Sequence, residues 1–462
     1  MISDPTNNRS MTYLVWGFVL LALPIVLILF PDEAAAYLLV VLSAGLALFL
    51  VRHFTDEKKF ITKLFFAGLG VRLLFGLFVH VFDWREFFGG DARAYHLFGG
   101  LIADYWHGAP IATREAYDLA TATLRPGWGM NYLVGAIYFV TGKNILAAQS
   151  FCAVIGAATA PVVYFCALKV FGNRNVARNS ALAIAFFPSF IIWSAQLLKD
   201  GLIIFLLVLA ITMVLQLQEN ISYAAIAVLV LSMFGIISLR FYIFYMVAVA
   251  VAGSFLIGVS TNSASILKRS AILIVIAVSL TYLGVIRNAE VNLERYGDLE
   301  RLQYNRLGLA RDTGSGYNED VDISTTEGAI STIPIGFAYL MLAPFPWEMT
   351  NFRQAITLPE VLAWWAMIPL LISGLIFSFR HRLRSAFPIL IFSLLLTLSY
   401  SIFQGNVGTA YRQRTQIQVF LFIFIAVGWE LWREKREDRR TEKMLREKRF
   451  DEKLRHGSDV LS

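Results

Sequence analysis

An acidic residue stands where the chain leaves a long apolar run, in the segment FFGGDARAYHLFGG. Asp91 follows two glycines and is close in sequence to Arg93, Tyr95 and His96. A carboxylate at a membrane surface can accept the proton of a hydroxyl group, and such general-base catalysis is worth about 10²–10⁴ in rate. Aspartate is also a preferred helix cap, worth about 1 kcal/mol. The pattern therefore leaves two interpretations of Asp91, a catalytic base among substrate-binding neighbours or a plain cap.

Two arginines directly before the last apolar run are suited to holding a phosphate group. The segment GNVGTAYRQRTQIQ carries Tyr411, Arg412 and Arg414, and a planar guanidinium pairs with two phosphate oxygens at once. If the segment is extended, Arg412 and Arg414 share one face, and Tyr411 adds a hydrogen bond. The alternative is ordinary pairing of interfacial arginines with lipid headgroups.

Further charges lie within or between apolar runs. Arg72 is in the middle of one, where a charge costs at least about 2.5–3.5 kcal/mol unless it is paired or hydrated. We expect it to face the bundle interior and meet an acidic side chain or a lipid phosphate, as a substrate-binding group or as half of a structural pair. Lys199 forms either a local ion pair with Asp200 or a second phosphate ligand, and Arg240 is interpreted as a turn charge.

The segment IPIGFAYLMLAPFPWEMTNF, in the second long stretch between apolar runs, is predicted to form a lid or a packing cap. Its two prolines interrupt a helix, and Glu348 is a candidate substrate-binding residue that reaches back towards the first loop. Upstream, Asp320 and Asp322 are weak candidates for a divalent cation, which prefers oxygen ligands. The alternative for Asp320 and Asp322 is a solvated acidic loop without a bound cation.

Composition places the chain in the membrane. Of 462 residues, 57% are hydrophobic and only 16% are charged, whereas soluble domains carry about 25% charged residues. Cys152 and Cys166 are too far apart on one helical run to form a disulfide, about 21 Å. The net charge of +7 does not indicate nucleic-acid binding, because residues 433–462 mix eleven Lys/Arg with eight Asp/Glu. We interpret this tail as a solvated helix, with an anionic-lipid site as the alternative.

Hydropathy predicts an all-α, polytopic bundle of about twelve spans, since about 20 apolar residues cross the hydrocarbon core. The predicted runs are 12–30, 34–51, 64–82, 145–168, 180–196, 201–217, 221–238, 241–259, 270–286, 361–379, 386–403 and 418–432. Two shorter stretches, 130–141 and 335–347, are predicted to be interfacial or re-entrant. Placing both termini in the cytoplasm puts the basic short loops inside, as the positive-inside rule requires.

The runs and loops divide the chain into five predicted segments. These are an N-terminal hairpin with its loop (1–63), a core (64–286) containing a first external loop (83–144), a second external loop or lid (287–360), C-terminal spans (361–432) and a charged cytoplasmic tail (433–462). Downstream of Asp91 the apolar residues recur with a 3.6-residue period, which predicts an interfacial helix. The expected location is the bacterial inner, or cytoplasmic, membrane.

The order of these elements resembles a known family. An acid at the start of the first external loop and an interfacial helix precede RPGWGMNYLVGAIYFVTGKNILAAQSFCAVIGAATAPVVYFCALKVFG and a span ending FFPSFIIWSAQLLKD. Over roughly residues 64–220 this resembles the C-type integral-membrane glycosyltransferases, nearest the protein-mannosyltransferase-like and lipid A aminoarabinose transferase-like branches. Family members often have an Asp-Glu pair where this chain has Asp91–Ala92, and a Pro-Pro pair at Arg125–Pro126–Gly127.

The resemblance implies a sugar donor on a polyprenyl phosphate, Asp91 as the base on the acceptor, and inversion at the sugar. The acceptor would be a glycan, a lipid or a protein, as in exopolysaccharide or O-antigen assembly. Asp83 and Asp104 are weaker candidates for the base. No cofactor is required, although a divalent metal is compatible with the acidic loop. Alternative functions are a polymerase of lipid-linked repeat units, a lipid or glycan transporter, and a non-enzymatic scaffold.

Overall fold

The computed structural model of the chain describes residues 31–88, 90–110, 118, 127–257, 263–311, 315–317, 321–349 and 352–459. The regular secondary structure in these ranges is helical, without strands, and Gly316 forms an isolated bridge with Asn406. The all-α prediction is confirmed. The described chain divides into two compact units, which are Met1–Ala158 with Ser189–Phe205 and Ile237–Phe241, and Thr159–Pro188 with Leu206–Ile236 and Tyr242–Ser462.

The helices are numbered here in chain order. They are α1 (Pro31–His53), α2 (Lys58–Val81), α3 (Arg85–Phe88), α4 (Asp91–Trp106), α5 (Trp128–Thr141), α6 (Ile145–Phe171), α7 (Arg174–Phe186), α8 (Pro188–Ser194), α9 (Lys199–Glu219), α10 (Tyr223–Leu239), α11 (Phe241–Ile257), α12 (Ser263–Tyr282), α13 (Val285–Tyr296), α14 (Leu299–Arg311), α15 (Thr326–Leu342), α16 (Phe352–Ala355), α17 (Leu358–His381), α18 (Leu383–Phe403) and α19 (Val407–Asp459). A 3₁₀ turn, Pro346–Glu348, lies between α15 and α16.

Among the described residues, seven helices are long and apolar enough to cross a membrane. They are Ala34–His53, Lys58–Val81, Ile145–Phe171, Lys199–Glu219, Leu358–His381, Leu383–Phe403 and Val407–Lys448, and two bent helix pairs raise the number to nine if each pair is one span. These helices indicate a multi-pass membrane protein. Each of the seven coincides with a predicted run.

The other five predicted runs have different outcomes. Runs 221–238 and 241–259 form α10 and α11, which have 17 residues each and are shorter than the usual crossing of about 20 residues. The run 12–30 lies outside the described residues. Runs 180–196 and 270–286 belong to the two bent helix pairs.

The two helix pairs are bent, and the local residues explain why. Helix α7 ends at Phe186, and Phe187 is extended, with ψ 130°, because the residue before a proline is driven out of the α region. Helix α8 then starts at Pro188 with a bend of 54°. The second bend, of 74°, contains Gly284 at φ +70°, a backbone conformation that glycine adopts without a steric cost.

Small residues bring the helices of the first unit together. On α6, Ala153 and Ala157 are buried against Phe65 and Leu69 of α2. Helices in a membrane associate through close van der Waals packing, which small residues allow. The alanines therefore hold α6 close to the part of α2 that carries Arg72.

Two glycines hold α17 against α19 in the second unit. A Cβ atom on Gly374 would overlap the Phe424 carbonyl oxygen, and one on Gly428 would overlap the Leu370 carbonyl oxygen. The backbones of the two helices thus touch at this crossing, as small-residue membrane crossings do.

We expect Gly428→Ala to destabilise the protein, because the added methyl group must push α17 away from α19. Overpacking of this kind typically costs about 1–3 kcal/mol. The matched control is Gly70→Ala on α2, where a Cβ atom meets nothing within 4 Å and the change should be neutral or stabilising by up to about 1 kcal/mol. Thermal unfolding in detergent measures both, and equal melting temperatures for the two variants would contradict the assigned crossing.

Candidate functional site

The first unit contains a cavity of about 170 Å³ among α1, α2 and α6. Its lining residues come from 36–40, 72–77 and 146–153, together with Ala195. These stretches follow the starts of α1 and α6 and precede the end of α2. The three helix ends therefore lie near the same cavity. We call this end of the helices the loop side, because residues 82–144 connect α2 to α6 there.

Arg72 is the charged residue in the cavity wall, and only 1% of it is exposed. Its Nε donates to Ser194 Oγ at 2.8 Å, and its Nη1 donates to the Gly68 carbonyl oxygen at 3.0 Å. Gly156 lies against this pair, and a Cβ atom there would overlap the Ser194 side chain. The guanidinium is therefore held in a fixed position by neutral oxygens.

The remaining wall is mostly apolar, with a second polar point at Gln149. Its Nε2 donates to the Gly76 carbonyl oxygen at 2.8 Å, and Gly76 also packs against the Ala195 carbonyl oxygen. Arg72 is nine residues before the end of α2, which is about 13 Å of helix. The cavity thus combines mostly apolar walls with one fixed cation in the loop-side half of α2.

Asp91 is the first residue of α4, and Gly90 occupies the cap position before it. The interpretation of Asp91 as the helix cap is therefore wrong. Its side chain is exposed, and a negative charge in the first turn interacts favourably with the helix dipole, worth about 0.3–1 kcal/mol. Asp91 does not belong to the lining of the cavity.

The residues predicted to surround Asp91 turn to different partners. Arg93 is exposed and pairs with Glu86 at 2.5 Å and with Asp83 at 3.6 Å. Tyr95 is buried, and His96 shares a hydrogen bond of 2.8 Å between its Nδ1 and the Tyr138 hydroxyl. They serve mainly to hold α4 in place.

The electrostatic surroundings keep His96 neutral. Burial, followed by the positive charges of Arg85 and Lys143, lowers the pKa of the His96 imidazole. Its ordinary value of about 6.5 is already below neutral pH. At pH 7 the ring is therefore a neutral hydrogen-bonding partner of Tyr138.

Helix α4 is fixed against α5 by close packing and one ion pair. A Cβ atom on Gly99 would overlap Val134, and one on Gly135 would lie 2.6 Å from Ile102. Lys143 donates to Asp104 at 2.6 Å. Asp104, a weaker candidate for the base, is thus engaged in an ion pair that positions α4.

The first unit also contains a buried ion pair between Asp200 and Arg240. Asp200 is fully buried and lies 3.4 Å from Arg240, which is 9% exposed. Arg240 is therefore a buried partner and not a plain turn charge. Lys199 is half-buried, and its Nζ is 3.5 Å from where a Cβ atom on Gly127 would lie. Asp200 and Arg240 were not predicted as site residues. Each is a charge between two closely spaced apolar runs, and this position in the sequence was the available sign that the residue is buried.

The arginines before the last span do not share a face, because α19 already begins at Val407. Two residues apart on a helix, Arg412 and Arg414 point about 200° apart. The segment is helical, so the condition for a shared face, an extended backbone, is not met. Arg412 is half-buried, whereas Arg414 is fully buried.

Arg414 binds the end of another helix. Its Nη1 donates to the Met341 and Ala343 carbonyl oxygens, at 3.1 and 2.9 Å, where α15 ends at Leu342. The last carbonyls of a helix lack partners within the helix. The Tyr411 ring lies 4.9 Å from the Arg414 guanidinium, so these two side chains support α15.

Glu348 is exposed and accepts a hydrogen bond from the Tyr339 hydroxyl at 3.2 Å. The Tyr339 ring stacks on Tyr317 with centroids 4.1 Å apart. These contacts stay within the predicted second loop or lid, and they join Glu348, in the 3₁₀ turn, to α15.

Of the two metal candidates, Asp320 lies outside the described residues. The Asp322 carboxylate is exposed and accepts from the Ser324 backbone N–H at 2.8 Å. Hydrogen bonds from the Ser324 side chain and backbone lower the pKa of Asp322. Across the described part of the chain, no group of three or more His, Cys, Asp or Glu side chains is arranged to hold a metal ion.

The predicted site residues fall into the two units. The first unit holds Asp91, Arg93, Tyr95, His96, Arg72 and Lys199, and the second holds Tyr411, Arg412, Arg414 and Glu348. The cavity at Arg72 and the exposed carboxylate of Asp91 both belong to the first unit. Neither protein-family models nor curated proteins match the chain.

Proposed function

We propose that the chain is an integral-membrane glycosyltransferase with about twelve spans and both termini in the cytoplasm. It transfers a sugar from a polyprenyl-phosphate donor to a glycan, lipid or protein acceptor on the outer side of the inner membrane. The observation that carries the proposal is the apolar cavity around buried Arg72, on the loop side to which α4 and Asp91 also belong.

The cavity suits the phosphate end of a lipid donor. Its apolar walls match an isoprenoid chain, and Arg72 supplies the cation that a phosphate needs inside the hydrocarbon region. An arginine at this depth is costly unless it is paired or hydrated, and a phosphate group is a favourable additional partner for it. At about 170 Å³ the space admits a headgroup and a short piece of chain, with the rest of the lipid in the bilayer.

In the proposed reaction, an acceptor hydroxyl oxygen attacks the anomeric carbon of the donor sugar. Asp91 accepts the hydroxyl proton as the new bond forms. The bond from the sugar to the phosphate oxygen breaks, its electrons remain on the phosphate, and the configuration inverts. Arg72 stabilises the charge that grows on the leaving phosphate, and Lys199 is a second candidate for this role.

We expect the purified protein to bind undecaprenyl phosphate more tightly than undecaprenol, which has the same tail without the charge. Titration in detergent, read by native mass spectrometry or thermophoresis, gives both affinities. Arg72→Gln should remove most of the preference, because losing a charge-assisted hydrogen bond costs about 1.5–3 kcal/mol, or roughly 10–100-fold. A native protein that binds both lipids equally would contradict the proposal.

The matched control for this titration is Arg382→Gln, which removes an exposed arginine outside both candidate features and should keep the preference. Arg72→Lys keeps the positive charge and should retain part of the preference for the phosphate lipid. Melting temperatures of each variant separate a loss of the phosphate contact from a loss of folding.

The bent helices support a second candidate, a polytopic lipid or glycan transporter. Transporters often place substrates at broken helices, and the bends at Pro188 and Gly284 are 54° and 74°. The two functions differ in their products. A transferase releases free polyprenyl phosphate from a sugar-loaded donor, whereas a transporter leaves the donor intact.

A further inference from the structure

Helix α19, a candidate membrane span, carries buried polar side chains. Tyr411, Arg414 and Gln418 recur at spacings of three and four residues, so they lie on one face of the helix. Arg414 and Gln418 are fully buried, and Tyr411 is 6% exposed. Gln418 is eleven residues from the helix start at Val407, which is about 16 Å along the helix.

Several polar atoms on this face have no hydrogen-bond partner among the described residues. They are Nε and Nη2 of Arg414 and both side-chain polar atoms of Gln418. A buried donor or acceptor without a partner costs about 1–3 kcal/mol, and native proteins contain few of them. Four such atoms on one turn of helix therefore indicate a group that hydrogen-bonds to them.

The opposite face of α19 carries similar side chains that do find protein partners. Gln416 Oε1 accepts from the Tyr400 hydroxyl at 2.7 Å, and Gln413 Oε1 accepts from Gln404 Nε2. That face is joined to α18. Gln416 Nε2 and Gln404 Oε1 have no partner among the described residues, so the faces differ in degree: Gln413 and Gln416 each have one side-chain partner, whereas both polar atoms of Gln418 lack one.

The charge on this face is balanced nearby. Glu360 of α17 is 6% exposed and interacts electrostatically with Arg414. The Trp364 ring, also on α17, lies 5.9 Å from the Arg414 guanidinium. A carboxylate near Arg414 weakens the attraction of this face for an anion.

The chemistry of the unpartnered atoms defines the ligand further. The Arg414 and Gln418 N–H groups need acceptors, whereas Gln418 Oε1 needs a donor. A fully ionised phosphate would satisfy only the N–H groups, because it accepts hydrogen bonds and does not donate them. A hydroxyl group does both.

We infer that the Tyr411–Arg414–Gln418 face of α19 lines a hydrated site, within the membrane, that binds neutral hydroxyl groups. Water and the hydroxyl groups of a sugar share this chemistry. The inference does not depend on the proposed glycosyl transfer, since it follows from the unpartnered groups of α19 alone.

Cysteine accessibility tests the site on the full-length protein. In a background with Cys152→Ala and Cys166→Ala, we would place Gln418→Cys on the proposed face and Phe420→Cys two residues further along. Phe420 is equally buried but packs on Phe392. The probe is 2-aminoethyl methanethiosulfonate, and the readout is the labelling rate by mass spectrometry.

We expect Gln418→Cys to label at least about tenfold faster than Phe420→Cys, because the thiolate reacts and apolar surroundings suppress it. Equally slow labelling of the two cysteines would overturn the inference. Thr415→Cys, on the same side of the helix, replaces Gln418→Cys if that variant does not fold.

A second arm distinguishes the two sources of hydroxyl groups. Labelling is repeated with methyl α-glucoside and, as a control of equal osmolarity, with glycine betaine. Slower labelling with the glucoside alone assigns the site to a sugar, and an unchanged fast rate assigns it to water. Either result supports a hydrated site.

Discussion

Replacing Asp91 by asparagine should abolish sugar transfer and leave the fold intact. Asparagine keeps the size and shape of the side chain but cannot accept a proton, and loss of a general base costs about 10²–10⁴ in rate. Because Asp91 is an exposed first-turn residue and asparagine keeps its shape, the folded state should lose little stability, on the scale of the helix-dipole interaction of about 0.3–1 kcal/mol.

The measurement is release of polyprenyl phosphate by purified protein from a panel of polyprenyl-phosphate-linked hexoses and pentoses. The native protein selects the donor, and Asp91→Asn is then compared on that donor. Asp104→Asn is the matched control, because Asp104 lies on the same helix but pairs with Lys143. Turnover of Asp91→Asn at the native rate would exclude Asp91 as the base.

Arg414→Ala should unfold or strongly destabilise the second unit. The variant removes both hydrogen bonds from Arg414 to the end of α15 and leaves the Ala343 carbonyl without that donor. Each buried group that loses its partner costs about 1–3 kcal/mol. We therefore expect a loss of roughly 2–5 kcal/mol, measured by thermal unfolding and by the yield of monodisperse protein.

Arg412→Ala provides the comparison for this prediction. Arg412 is half-buried and on another side of α19, so its removal should cost much less. Arg414→Lys should fall between, because lysine keeps a donor but not the planar fork that reaches two carbonyls. If Arg414→Ala were as stable as the native protein and yet inactive, that result would contradict the structural role and support Arg414 as a phosphate ligand.

The sequence by itself determined the class of the molecule and most of its local structure. A low share of charged residues and long apolar runs require a membrane protein, because only a helix satisfies its own backbone in lipid over such lengths. The 3.6-residue period after Asp91 likewise predicted α4. These properties depend on residues close together in the chain, so they can be read directly.

Local chemistry was misjudged where two local signals competed. Asp91 is a good cap by type, but Gly90 takes that position. Arg412 and Arg414 alternate as on a strand, but the helix starts five residues before Arg412, at Val407. Pro188 within the apolar run 180–196 was a sequence signal for the bend. The run was identified by its apolar length alone, which does not register a proline.

Only the tertiary structure decided the partners of the buried charges. Arg72 meets Ser194, 122 residues away, and Arg414 meets Ala343, 71 residues away. The sequence predicts that a buried charge must be satisfied, since leaving it alone is costly. Which oxygen satisfies it depends on which helices pack together, and that follows from contacts between small residues far apart in the chain.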